Sequence, residues 1–555
     1  MRAAVRAGCS LSGTDRRGRC RKTQIGRTDG SHRERPLDCG DHGFLASGQP
    51  DKVGISHGGQ YVVIRTGKQY IEGLRAPREV YVGGERVVDV TTYPAFREPI
   101  QSYARLYDMK HDNRFQDILT YVDPATGERH DISFLVPKSK DELKAKGKAY
   151  HTFAKASYGC LGRGPEFMAA LIAGMWESTD WFEQWGEGGA KKVADYVRYV
   201  RDNDLFLTHA LGNPQSDRSK PSHQQANPFI HLRVKEETPE GLIIRGAKQL
   251  ATAAPVTDEI LVFPNGRQFG PGDDAYAMCF AVPTTAPGVK IICREPLVPG
   301  DDRNVYDHPL SSRFEEMDAL IVFDDVLVPW ERVFFYNSLQ AANNMRFMTG
   351  VAAFSGHLSI HRATVRAALT VATAMKMCNS VKTDAFPNVG ELLGRLAAMY
   401  KAQEALLFRC EEDPRVTDTG TYWVNGDALS ASGLLFPDFY TTMLEVIKRT
   451  GAAGLMLTPT LGEFTGEVAE FANTYFAGAD DMPGVDRVQI AKLAWDLAGD
   501  AVGQRLAHYE RFYIGEPMFV ASFFARSADM GLGRELLEEI LSEGRALRDS
   551  ALGAK

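Results

Sequence analysis

Tyr158–Phe167 reads YGCLGRGPEF, an arginine set among glycines at 159, 162 and 164. A dinucleotide cradle requires G-x-G-x-x-G directly after a strand. Here the order is G-x-x-G-x-G, and the preceding DELKAKGKAYHTFAKAS reads as helix from its Ala, Lys, Glu and Leu content. Arg163 is therefore the group with chemistry to offer, a permanent cation whose fork suits an oxyanion. Taken alone, it reads as readily as the partner of a nearby acid such as Glu166. His209 closes an apolar run, and His357 and His361 share a helical face in FSGHLSIHR. Such imidazoles titrate near neutral pH and are candidates for proton transfer. His308 in YDHPLSSR is a weaker one. The eight cysteines, at 9, 20, 39, 160, 279, 293, 378 and 410, show no C-x-x-C pair and no zinc or iron–sulfur spacing. No metal is expected, and the thiols are expected to be reduced.

Three zones must position these groups. From Tyr70 to about Asn203 the pattern is helical, except for REVYVGGERVVDV, whose valines flank Gly83-Gly84 as in a small hairpin. From about Leu205 to Val333 the period is two. FIHLRVK sets Ile230, Leu232 and Val234 on one face, and LIIRGAK, AYAMCFAVP, VKIICRE and ALIVFDDVLVP follow between Pro and Gly breaks. No long helical pattern interrupts these runs, so an antiparallel sheet or barrel is expected. After Asn337 helical periodicity returns: Leu392, Leu396, Met399 and Leu406 line one side of ELLGRLAAMYKAQEALLFRC, and a bundle is expected.

With 555 residues the chain exceeds a single core. Its formal charge of -7 gives no general attraction to nucleic acid or anionic membrane. No apolar run reaches the ~18 residues of a bilayer span, so a soluble, cytoplasmic protein is expected. Residues 1–50 carry ten Lys or Arg against five Asp or Glu and lack the apolar core of a secretion signal. They read as a disordered leader or as the product of a start codon placed too far upstream.

Taken together, YIEGLRAPREVYVGGERVVDVTTYPAF (Tyr70–Phe96), SYGCLGRGPEF, THALGNPQSDR (Thr208–Arg218), GAKQLATAAPVTDE, HPLSSRFEEMDALIVFDDVLVPWERV (His308–Val333) and KLAWDLAGDAVGQRLAHYERFY (Lys492–Tyr513) resemble the 4-hydroxyphenylacetate 3-hydroxylase family. Its members are oxygenase components of two-component flavin monooxygenases on the acyl-CoA dehydrogenase fold. The resemblance covers nearly everything after Thr66. It implies an α+β, mainly α fold with a leader at 1–65, a helical domain at 66–204, a middle antiparallel β-barrel or sheet domain at 205–335, and a helical bundle domain at 336–555.

The resemblance also implies FAD, bound non-covalently as FADH2 from a separate NAD(P)H:flavin reductase, with O2 as co-substrate. A flavin C4a-hydroperoxide then hydroxylates a phenol ortho to its oxygen, with 4-hydroxyphenylacetate the default substrate. Carried over, Arg163 and His209 meet the phenolic oxygen. The family's tyrosine at the third substrate position is Phe167 here. In some halophenol-oxidising relatives a histidine near His357 acts as base. Gln215, Ser216, Asp217, Arg218 and Thr252, together with His209, are expected at the flavin, and Gln504 and Arg505 towards its phosphates. Asn265 and Gly266 fall in the loop closing over the far end of the substrate, where Arg267 could meet a carboxylate. The glycines beside Arg163 would admit flavin or substrate close to the backbone. A homotetramer or homodimer is the family precedent.

Two enzyme alternatives share the fold. A 4-hydroxybutyryl-CoA dehydratase needs three cysteines and a histidine for its cluster, and Cys160 has no cysteine four residues away. An acyl-CoA dehydrogenase needs a carboxylate base and a path for CoA, and no segment suggests either. A non-catalytic flavin-binding protein is the third alternative, favoured mainly by Phe167.

Overall fold

The computed structural model describes residues 63–264, 269–298 and 303–553. Residues 60–555 form one compact unit. The element order is helices, sheets, helices, the mainly helical α+β class expected. Among the described residues, no helix is long and apolar enough to cross a membrane.

Two helices set up the segment carrying Arg163. Helix Lys140–Ala156 begins at Ser139, whose hydroxyl accepts from the Glu142 N–H, with Asp141 and Glu142 in its first turn. It ends where Tyr158 and Gly159 adopt φ of 54° and 68°. Gly159 is the residue type suited to that conformation. Helix Pro165–Glu177 starts three residues after Gly162, with Pro165 at its first position, and is buried from Pro165 through Met175. Arg163 thus lies on a short link between one helix end and the next helix start.

The strands described form a six-stranded and a four-stranded sheet, both open, and two two-stranded ribbons. Gly83 and Gly84, both at positive φ, turn Glu79–Val82 back onto Glu85–Val87, the expected hairpin. That hairpin is an edge of the middle zone's larger sheet, because Glu79–Tyr81 pair in parallel with Lys290–Ile292. A second parallel pairing sets Leu207–Ala210 beside Glu259–Val262 in the smaller sheet, so the sheets are mixed rather than wholly antiparallel. FIHLRVK also departs from simple alternation. The Asn227 side chain accepts from Phe229 N–H in a turn, and the strand begins only at Arg233. His231, which strict alternation would set on the face opposite Ile230, Leu232 and Val234, is buried and bonds Ser222.

The C-terminal zone is built on helices Val351–Asn379, Pro387–Glu412 and Gly426–Gly451, which pack against one another, with Gly484–Ala498 and Ala501–Phe512 added. In Pro387–Glu412 the inward residues are Leu393, Leu396, Gln403 and Cys410, with Leu392, Met399 and Leu406 half-buried beside them. One continuous apolar core runs from Tyr70 through the sheet residues Ile291 and Phe323 to Leu497 and Leu506, binding all three zones together.

Candidate active site

Arg163 and His209, 46 residues apart in the chain, meet in the interior, each only 7% exposed. Arg163 donates from Nε to His209 Nε2 at 3.0 Å, from Nη1 to the Gly162 carbonyl at 3.0 Å, and from Nη2 to the Tyr513 carbonyl at 3.3 Å. Its guanidinium lies 4.1 Å from the Phe167 ring centroid and 4.2 Å from that of Tyr513. Phe167 follows it by four residues on the buried first turn of the next helix and offers the cation an aromatic face, without a hydroxyl to add to the site. His209 is held in the fully buried strand Leu207–Ala210, opposite Leu261, with the Phe167 and Phe263 rings around it.

Burial and the Arg163 charge hold the His209 pKa down at about 3, so the imidazole is neutral. A guanidinium only donates, so Nε2 accepts and the ring proton sits on Nδ1. That Nδ1 has no hydrogen-bond partner among the described residues. Arg163 has five N–H groups and the bonds above use three of them. Among the described residues a second N–H on each of Nη1 and Nη2 and the imidazole N–H are therefore left over, and a buried donor left unmade costs about 1–3 kcal/mol. The donor set fits an oxyanion and the edge of a flavin.

The link itself is clamped from the sheet. Glu316 Oε1 accepts the backbone N–H of both Gly162 and Arg163 at 2.8 Å, while its Oε2 takes Arg505 Nη1 at 3.0 Å. Arg505 also donates to both oxygens of Asp318, one of which receives the Thr252 hydroxyl at 2.9 Å. Behind Tyr513, Arg362 forms a two-pronged pair with Glu510 at 2.6 and 2.7 Å, donates to the Gly159 carbonyl, and lies 4.1 Å from the Tyr513 ring centroid. Tyr513 returns its hydroxyl to the Gly162 carbonyl at 2.7 Å. Glu316, Asp318, Arg362, Tyr509, Glu510 and Tyr513 escaped the sequence reading. Tyr509 and Tyr513, four apart on a helix, offered a signal; the carboxylates offered none.

Several expected contacts are not made. Arg163 does not pair with Glu166, whose carboxyl folds back over Gly164 and is pushed up to about 8 by burial. The glycines make room for protein rather than flavin: a Cβ at Gly159 would stand 2.9 Å from the Arg362 carbonyl oxygen, and one at Gly162 2.7 Å from the Tyr509 ring. Arg505, assigned to phosphates, is committed to Glu316 and Asp318, which neutralise it. His357 faces away from the cluster. Its Nε2 is 2.8 Å from Glu411 Oε1 and its ring abuts Tyr150 and His361, since its helical face turns towards helices Lys140–Ala156 and Pro387–Glu412. His308 is 3.9 Å from Asp496, likewise elsewhere.

Of the expected flavin contacts, Gln215, Asp217, Arg218 and Gln504 are exposed. Ser216 bonds Gln225 and His231, and Asp217 binds Ser219 and Lys220. Gln504 donates to the Ala498 carbonyl. Asn265, Gly266 and Arg267 lie outside the described residues. The five described cysteines are free and buried. Cys160 Sγ receives Arg366 Nη1 at 2.8 Å, and no described cysteine belongs to a cluster able to hold a metal.

Residues 66–335 match the 4-hydroxyphenylacetate 3-hydroxylase N-terminal family and residues 342–542 its C-terminal family. The chain is 38% identical to the 4-hydroxyphenylacetate 3-monooxygenase oxygenase component of Thermus thermophilus over 455 residues, covering 82% of this chain and 92% of that one. It is 32% identical to the oxygenase component of a Rhodococcus 4-nitrophenol 2-monooxygenase, covering 84% and 88%. A crystal structure of the 4-hydroxyphenylacetate 3-monooxygenase oxygenase component with FAD and 4-hydroxyphenylacetate has a TM-score of 0.82 at 36% identity, covering 87% and 99%. An archaeal 4-hydroxybutyryl-CoA dehydratase, 19% identical with a TM-score of 0.75, shares the fold. The two family matches together take in nearly all of residues 66–542 and the solved structures follow the same chain path, so this chain belongs to the 4-hydroxyphenylacetate 3-hydroxylase family.

Proposed function

We propose that this protein is the oxygenase component of a two-component flavin monooxygenase that hydroxylates a phenol ortho to its oxygen, with 4-hydroxyphenylacetate the first substrate to test. The observation that carries this reading is the buried Arg163 guanidinium, held between the Phe167 and Tyr513 rings and bonded to a His209 whose Nδ1 is without a partner among the described residues. The oxygen atom comes from dioxygen activated by reduced FAD, held non-covalently and supplied by a separate NAD(P)H:flavin reductase. An ordinary phenol has a pKa near ~10 and is protonated at neutral pH, whereas its anion is the electron-rich form that such an oxygen attacks. Arg163 holds that anion, and His209 adds a hydrogen bond from Nδ1. With a pKa of about 3 and its Nε2 taken by Arg163, His209 is too weak a base to keep the phenol's proton, which passes to solvent as the phenol binds, before water is shut out. The aromatic rings around Arg163 exclude water that would divert activated oxygen into peroxide.

Thr252, Ser216, Gln215, Asp217, Arg218 and Gln504 are the side chains we assign to the flavin, with Arg505 holding Thr252 and Asp318 in place. Asn265 and Gly266 are the residues we assign to the far end of the substrate; Asn343 holds the nearby Phe269 by two hydrogen bonds to its backbone. The relatives extend the substrate range to other phenols, and Phe167 is where selectivity among them would be set. A cytoplasmic homotetramer or homodimer completes the reading. Reduced FAD, oxygen and a panel of phenols test it directly: catechol formation from at least one phenol is expected, and peroxide alone from all of them would leave a flavin-binding protein instead.

A further inference from the structure

Three helices outside the active site converge on a second group of chemically capable side chains. His357 and His361, one turn apart on Val351–Asn379, direct Nε2 at the same oxygen of Glu411, at 2.8 and 2.9 Å. The three candidate ligand atoms lie within 4.8 Å of one another. From the third helix, Lys140–Ala156, Gly147 makes the space. A Cβ there would stand 1.8 Å from Glu411 Oε1 and 2.8 Å from His361 Nε2. Glycine in the middle of a helix costs about 0.5–1 kcal/mol, so this opening has an energetic cost, and the carboxylate and imidazole occupy it.

We propose that His357, His361 and Glu411 form a binding site for a divalent transition ion, zinc foremost, that staples these three helices. Two imidazoles four residues apart on one helical face plus a carboxylate is a donor set suited to zinc. Bond lengths of ~2.0–2.2 Å in a tetrahedron set ligand atoms roughly 3.3 Å apart, so each imidazole needs to withdraw from Glu411 by only about 0.5 Å. The Glu411 side chain is 18% exposed and gives a way in. A small cavity lined by Leu143, Lys146, Phe354, His357, Tyr422 and Trp423 adjoins His357, and the fourth ligand would be a water. The neighbouring cation, Lys146, is turned onto the carbonyls of Ser133 and Leu135. His151 and Tyr150 complete the polar surroundings. The ligand His361 directly precedes Arg362, the residue that braces Tyr513, so the ion would stiffen the wall of the active site without entering it.

The test uses the full chain stripped with a chelator and titrated near pH 8 with zinc chloride by calorimetry and with cobalt(II) by absorption. One ion per chain with a Kd below ~10 μM, a rise in Tm, and a four-coordinate cobalt spectrum are expected. His361→Ala and Glu411→Gln should each weaken binding at least 10-fold, and Gly147→Ala should weaken it by intruding on Glu411. Zinc-edge X-ray absorption of the wild-type protein, which needs no variant to fold, should show two imidazoles in the first shell. No saturable binding, sulfur or fewer than two imidazoles in that shell, or affinity retained in both folded variants would overturn the proposal.

Discussion

Replacing Arg163 by Met removes the charge while keeping an unbranched side chain between Phe167 and Tyr513. A guanidinium beside an acid lowers its pKa by about 1–3 units, and at 7% exposure solvent screens Arg163 little. A phenol of pKa ~10 is about 1% ionised near pH 8, rising to about 10–90% when that cation is at hand. Loss of Arg163 should therefore slow hydroxylation near pH 8 by one to two orders of magnitude and shift the rising limb of the pH–rate profile upward by about 1–3 units. The assay is single turnover with pre-reduced FAD, with catechol and peroxide counted at each pH. In the variant, peroxide should dominate near neutrality and catechol recover towards pH ~10, with flavin affinity changed only a few-fold. Arg163→Lys should fall between, retaining the charge but losing the fork shared among His209, Gly162 and Tyr513. Wild-type coupling and an unshifted profile in a folded Arg163→Met protein would refute the reasoning.

Phe167→Tyr restores a hydroxyl near His209 and should lower the KM for phenols by about 2- to 10-fold, the worth of one net hydrogen bond; steady-state kinetics with flavin saturating would show it. The His209 pKa is depressed to about 3, so the neutral ring stabilises the fold fully above the ordinary value near ~6.5, and that stability is lost as pH falls towards 3. The loss should be about 1.4 kcal/mol per pH unit below ~6.5, and urea unfolding of His209→Asn between pH 4 and 7 should show a correspondingly flatter dependence. Glu510→Gln leaves the buried Arg362 without its counter-charge and should cost about 3–5 kcal/mol, read as a fall in Tm; a change within ~0.5 kcal/mol would mean the pair does not brace the wall.

The encounter of Arg163 with His209 was legible only through the family resemblance, since taken alone Arg163 suited a nearby acid and His209 merely closed an apolar run; what their own neighbours showed was the glycine link between two helical patterns. The Gly83-Gly84 hairpin was legible for the same local reason. Its parallel seam with Lys290–Ile292 was not, since parallel pairing leaves no turn signal between its strands. Arg505 shows the limit most clearly. Its charge suggested phosphate, but its carboxylates lie 187 and 189 residues away, and nothing nearby announces them. For His357 and His361, spacing established a shared face but not the direction it looks, which depends on helices elsewhere in the chain. The glycines around Arg163 were read as openings for flavin or substrate; what stands against Gly159 and Gly162 is Arg362 and Tyr509, invisible until those helices dock.

The Tyr513 carbonyl that receives Arg163 comes 350 residues later. At ~5–20 residues per second, a ribosome needs roughly 20–70 s to cover that distance. Throughout that interval the nascent guanidinium stays hydrated, its aromatic cover incomplete and its pocket leaky. The aromatic cover of the cation is thus completed only once the segment from Tyr509 onward has been made, and a chain lacking that segment would carry Arg163 without the Tyr509 and Tyr513 rings.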